Sequence, residues 1–272
     1  MIGVAADEWV RRGSSFGAVA SAYAELRPGY PDDAVRWAVA PLGRDARGLR
    51  VVDLGAGTGI LTGQLIGMGA DVTAVEPDEA MRAEFRRRLP SARLVAGSAE
   101  DIPLPAGSVD AVLCGQAMHW FNLDAALPEI ARVLTAGGVL AGLWNNDDDR
   151  VEWMAGLQAA AEGAMGAALT ARRAQTSALA AGRFDGRSFP AVERAEFPNA
   201  QRCTIESLVA LVGTHSRLLV MPAPERDRVL SQVADYLRDR PETSAGEFIA
   251  PLVTLVLRAT REASGAPGPA GL

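Results

Sequence analysis

A chain of 272 residues, 49% hydrophobic and 22% charged, has the composition of a soluble globular protein and the length for one large α/β domain with an added cap, or at most two modest domains. Its formal net charge is −6 and every basic residue is an arginine, with no dense basic run. This argues against nucleic acid as a partner and removes Schiff-base and P-loop lysine chemistry. Two cysteines and two histidines are too few for a Cys/His metal site, so no metal is expected and Cys114 and Cys203 read as buried free thiols. The first residues lack the apolar core of a signal peptide and no apolar run has membrane-spanning length, so the expected location is the cytoplasm, with no membrane partner.

In chain order, SSFGAVASAYAELRPGYP is a short helical pattern closed by Pro28 and Pro31. PDDAVRWAVAPL is a helix with Pro31 and two aspartates at its start. LRVVDLG is a compact apolar strand, TGILTGQLIGMG a helix, DVTAVEP a second strand, and DEAMRAEFRRRL a helix with acids early and arginines late. ARLVAG and SVDAVLCG are the third and fourth strands, NLDAALPEIARVL a helix and GGVLAGLWN the fifth strand. Apolar runs alternating with helices predict a parallel sheet covered on both faces.

Beyond Asn145, DDDRVEWMAGLQAAAEGAM starts a helix, whose N-terminus accounts for the acidic run Asp147–Asp149 better than a cation does. AVERAEFPNAQRCT is a strand pair or one broken strand, TIESLVALVGTHS and PERDRVLSQVADYLRD are amphipathic helices, and FIAPLVTLVLRATR is the last strand. The Gly/Pro-rich tail, residues 264–272, is expected to be flexible.

VVDLGAGTG is the informative stretch: a strand runs into Gly55, Gly57 and Gly59, and a helix follows. Glycines there let the backbone turn and approach a ligand closely. Glu76 closes the next strand about 20 residues on, where an acid binds ribose hydroxyls in Rossmann-like sites. The dinucleotide fingerprint fails at its third position, which is Ile60. Asp53, facing the same turn, would repel pyrophosphate and suit a ligand carrying an ammonium and a sulfonium, which favours S-adenosylmethionine (SAM) over NAD.

These segments resemble the class I SAM-dependent methyltransferases, within them the group that includes trans-aconitate and ubiquinone/menaquinone methyltransferases. VVDLGAGTG is similar to that family's first motif and VEPDEAM to its second. GSAEDIPLPAGSVDAVLCGQAMHWF is similar to the adenine loop with the fourth strand, RVLTAGGVLAGLWN to the fifth-strand motif, and AYAELRPGYP to the N-terminal motif. The matches cover close to half the chain. The resemblance implies a Rossmann-like α/β fold, a mostly parallel sheet with its last strand antiparallel, a helical N-terminal lid and a helical cap. It implies one domain over residues 1–272, with the lid at 14–48, the SAM-binding core at 49–146 and a substrate cap at 200–241.

By the same resemblance Asp53, Gly55, Ala56 and Gly57 contact the methionine part of SAM, and Glu76 takes both ribose hydroxyls. Pro77 and Met81 pack near the adenine, whose edge meets Ala99 and Glu100. Gln116 and His119 lie near the methyl group, and Tyr23 and Arg27 belong to the lid, Arg27 pairing with the SAM carboxylate. His119 is the candidate general base for a hydroxyl or protonated amine, its alternative being a packed histidine that shapes the pocket. The implied reaction is methyl transfer by direct displacement to O, N or C of a small, partly hydrophobic acceptor such as a secondary metabolite, with S-adenosylhomocysteine (SAH) as product. Non-methylating SAM chemistry such as cyclisation, and a non-catalytic SAM-binding protein, stay open as alternatives. Oligomeric state is not readable from the sequence.

Overall fold

The computed structural model describes residues 24–165 and 188–262. Strands form where β-branched and apolar residues run without a helical period: β1 (Arg50–Leu54), β2 (Asp71–Val75), β3 (Arg93–Val95), β4 (Val109–Gly115) and β5 (Leu134–Asp147). The helices between and before them are α1 (Asp32–Val39), α2 (Ile60–Gly67), α3 (Glu79–Arg88) and α4 (Leu123–Val133). Asp78 caps α3 by accepting the Met81 N–H, and three arginines close its last turn, the charge order that a helix dipole favours.

The second half adds α5 (Glu152–Met165), β6 (Glu193–Cys203), α6 (Ile205–Gly213), α7 (Ser216–Leu219), α8 (Ala223–Arg238) and β7 (Phe248–Thr260). The sheet order is β3-β2-β1-β4-β5-β7-β6. All contacts among β1 to β5 are parallel, whereas β7 is antiparallel to both β5 and β6, so β7 alone runs against the rest. This is the mostly parallel sheet with a reversed last strand that the sequence predicts. The segment AVERAEFPNAQRCT resolves into a single unbroken strand. Pro198 is tolerated inside it because β6 is the sheet edge.

Side chains alternate across the strands to fill two cores. Val52, Leu54, Val112 and Cys114 pack with Ala126, Leu127 and Ile130 of α4 on one face. Val51, Ala111, Leu113 and Val139 pack with α1 and with Leu61 and Leu65 of α2 on the other. A third cluster joins Trp153, Met154 and Leu157 of α5 to Leu208 of α6, Val229 and Val233 of α8, and Cys203 and Phe248 at the strand ends. The segment expected to form a cap from residue 200 therefore begins inside β6, with its helices starting at Ile205. Both cysteines are buried and free.

At the starting ends of β1 and β4, Asp110 accepts hydrogen bonds from the Arg50 main-chain N–H and guanidinium and from Arg44. The Arg50 hydrogen bond holds the Asp110 carboxyl below the usual carboxylate range. Asp110→Asn is expected to lower unfolding free energy at neutral pH by about 1–2 kcal/mol, because the two arginines are half exposed and screened. A depressed carboxylate stabilises above its unfolded-state value and loses that contribution as pH falls through its folded value. Urea titrations should therefore show the gap between wild type and variant closing below about pH 4.

Candidate active site

In sheet order, β2 and β3 lie to one side of β1, and β4 and β5 to the other, so the direction of winding reverses between β1 and β4. Ligands of open α/β sheets bind beyond the carboxyl ends of the strands at such a reversal. A cavity of about 290 Å³ opens there. Its lining contains ten of the expected site residues: Asp53, Gly55, Ala56, Gly57, Glu76, Pro77, Met81, Ala99, Glu100 and Gln116.

The turn after β1 is shaped by its backbone. Gly55 has φ +71°, and its N–H and that of Ala56 donate to the Val75 carbonyl, tying the turn to the end of β2. A Cβ on Gly55 would lie 2.6 Å from the Ala117 Cβ, so no larger residue fits there. Gly57 has φ +56° for a different reason, since a Cβ there would meet no protein atom within 4 Å. Its N–H donates to Glu76 Oε2 at 2.9 Å, and Glu76 Oε1 accepts the Asp78 N–H at 2.9 Å. The amide that a pyrophosphate site would aim at its ligand is thus engaged by a carboxylate.

Asp53, the penultimate residue of β1, is almost fully buried. Thr62, on the first turn of α2, donates its hydroxyl to Oδ2 at 2.6 Å, while Oδ1 is buried with no hydrogen-bond partner. Burial pushes the Asp53 carboxyl up to about 7, opposed by the Thr62 hydrogen bond and reinforced by Glu76. Burial also raises Glu76, against the two backbone N–H bonds that it accepts. Two acids at the base of one cavity, one with an orphaned oxygen, create a demand for a cationic hydrogen-bond donor.

The opposite wall comes from the end of β4 and the segment that follows it, which is tied to β5. Gln116 is the non-glycine residue with positive φ (+56°) among the described residues; its main-chain N–H donates to Leu143 O and its Nε2 to Asn145 O, both at 2.8 Å. Glu100 Oε1 accepts the Asn122 N–H at 2.8 Å, and the Ser98 hydroxyl accepts the Glu100 N–H, which fixes the loop that carries Ala99. Trp120 and Phe121 complete the wall.

Two expected residues stand elsewhere, and a third lies outside the described residues. His119 is buried and does not line the cavity; its Nδ1 accepts the indole N–H of Trp144 at 3.1 Å. Arg27 lies in the turn before Pro28, outside the lining. Tyr23 falls outside the described residues. Conversely, Tyr30 lines the cavity, close enough to Gly115 that a Cβ there would sit 2.7 Å from its hydroxyl. Its signal was its place in the LRPGYP motif, between two prolines. Among the described residues no cluster of potential metal ligands occurs, and no helix is long and apolar enough to cross a membrane.

Residues 52–142 match a methyltransferase domain family. An uncharacterized methyltransferase of Mycobacterium bovis is 37% identical over 260 residues, covering 90% of this chain and 95% of its own length. The chain belongs to the class I SAM-dependent methyltransferases. An uncharacterized methyltransferase of Schizosaccharomyces pombe is 30% identical over 220 residues, covering 80% of this methyltransferase and 85% of its own chain. Among solved structures, a candidate type II methyltransferase from Anaeromyxobacter dehalogenans is similar with TM-score 0.58 and 28% identity, over 86% of this chain and 96% of that one.

The two glycines separate folding from binding. Gly55→Ala is expected to destabilise the methyltransferase by about 2 kcal/mol or more, through overpacking against Ala117 and positive φ. Gly57→Ala should cost only about 1 kcal/mol for its φ, yet weaken SAH binding more than tenfold. Denaturant unfolding and calorimetric titration of both variants check the contrast. Asp53 makes a second prediction. Between about pH 4 and about pH 7 the folded methyltransferase holds a proton on Asp53 that the unfolded chain releases, so this contribution to stability falls as pH rises. Asp53→Asn abolishes the titration, so its stability relative to wild type should increase from pH 5 to pH 8 in urea titrations.

Proposed function

We propose that this methyltransferase moves the methyl group of SAM to an O, N or C atom of a small, partly hydrophobic acceptor in the cytoplasm, as in secondary metabolism. The observation that carries the SAM placement is the buried pair Asp53 and Glu76, with Asp53 Oδ1 unpartnered, around a glycine turn at the strand ends. When bound, SAM supplies a methyl carbon that a nucleophile displaces directly from sulfur, with SAH as the product.

Asp53 receives the ammonium group of the methionine part, with Gly55, Ala56 and Gly57 close against it. Glu76 keeps a free lone pair on each oxygen for the ribose hydroxyls while its backbone bonds hold the carboxylate in place. Pro77, Met81 and Ala99 offer apolar surface to the adenine, and Glu100 lies at its edge. Gln116, Tyr30 and Trp120 bound the side where the acceptor meets the methyl group. Residues 14–48 act as the lid and the helices within 200–241 as the substrate cap.

His119 takes a positioning role. Because an indole N–H only donates, Nδ1 of His119 accepts it, which ties that ring nitrogen to Trp144. A histidine buried and held in this way, outside the cavity lining, shapes the wall behind it. Alignment and exclusion of water supply the rate, and the acceptor's proton, where it has one, leaves to solvent.

Calorimetric titration of SAM and SAH, with NADH as control, tests the assignment. Binding of both in the micromolar range, absent for NADH and weakened at least tenfold by Asp53→Ala, is the expected result. Binding of NADH in place of SAM would overturn it.

A further inference from the structure

The turn that carries Tyr30 into the cavity wall is gripped from two sides. On one side Gln64 of α2 accepts the Tyr30 N–H with Oε1 and donates through Nε2 to the Tyr30 carbonyl at 2.6 Å. On the other, Asn145 near the end of β5 donates through Nδ2 to the carbonyls of Pro28 at 3.2 Å and Gly29 at 3.0 Å. The other half of the Asn145 amide faces the sheet, where Oδ1 accepts from Asn199 Nδ2 at 3.1 Å on β6 and from the Thr254 hydroxyl on β7. Asn199 also donates to the Gly29 carbonyl at 3.0 Å. The main-chain carbonyl of Asn145 accepts from Gln116, the left-handed residue of the acceptor-side wall.

Asn145 therefore joins three strands and the N-terminal turn to Gln116 and Tyr30, two of the residues that bound the methyl-transfer end of the cavity. Its amide is used in one orientation only, because the lid carbonyls need a donor while Asn199 and Thr254 present donors to an acceptor. All of these partners are uncharged, so what holds the turn is hydrogen-bond direction, and an aspartate of the same shape cannot reproduce it.

We propose that Asn145 is a positioning residue that sets the acceptor-side wall of the SAM cavity. It latches the Pro28–Gly29 turn to the sheet and so holds Tyr30 opposite Gln116. This rests on the SAM placement above. It assigns Asn145 and its supporter Asn199 a role in how long the cavity keeps its nucleotide and how well the acceptor is aligned, without contact between Asn145 and the transferred methyl.

SAH is the probe, and its dissociation rate is read by stopped-flow displacement with the fluorescence of Trp120, which lines the cavity. At about pH 8, Asn145→Asp should speed SAH release about tenfold, the equivalent of one lost hydrogen bond, with the association rate little changed. At about pH 4, near the ordinary aspartate value, the introduced carboxyl is protonated about half the time and donates again, so the ratio to wild type should fall by about half. A merely structural defect would not be repaired by acid. Asn199→Ala and Thr254→Val should each speed release a few-fold, and they carry the test should Asn145→Asp fold poorly. Wild-type release rates in all three variants would overturn the latch and leave the SAM placement standing. Absence of SAH binding by the wild-type protein would overturn both.

Discussion

Two carboxylates buried within one small cavity, Asp53 at the end of β1 and Glu76 just past the end of β2, are the constraint around which the site is arranged. Glu76 raises the proton affinity of the buried Asp53, and Arg82 offsets only part of the cost of burying Glu76. It tolerates the arrangement because the surrounding backbone is fixed. Gly55 can approach Ala117, the Gly57 and Asp78 amides neutralise part of the Glu76 charge, and Thr62 satisfies one oxygen of Asp53. The stability lost in burying acids is the ordinary cost of a site prepared for a cationic ligand.

The sheet order explains why these acids meet. Asp53 and Leu113 are in register on β1 and β4, so the winding reversal opens directly above the acid. The β7 strand, the one reversed member, brings Thr254 beside Asn145, and β6 brings Asn199 beside both. An N-terminal segment more than 100 residues away in sequence is thereby fastened to the same rim. The cavity lining comes from Tyr30 to Phe121, whereas the side chains that fasten the Pro28–Gly29 turn to the sheet come from β5, β6 and β7.

What the sequence disclosed follows the range of the interactions involved. The first five strands, their helices and the glycine turn were legible because apolar periodicity, caps and turn glycines act within a few residues. Glu76 was legible because its distance from the turn is one βαβ step. For His119 the sequence left two readings, a base near the methyl group or a packed histidine, because its contact with Trp144 lies 25 residues on. Tyr30 depends on Gln64, 34 residues away, and the unbroken course of β6 through Pro198 depends on its being a sheet edge. Asn145 carried no local signal, as its four side-chain partners lie on segments remote in sequence.

If Asp53, raised by burial, receives the positive charge of SAM, it gives up its proton when SAM binds. Calorimetry of SAM binding near pH 6, repeated in buffers of different ionisation enthalpy, measures the protons exchanged on binding. Release of close to one proton by the wild type, because the cation converts Asp53 to its ionised form, and none by Asp53→Asn is the expected result. Binding with no proton release by the wild type, or with equal release by Asp53→Asn, would contradict it.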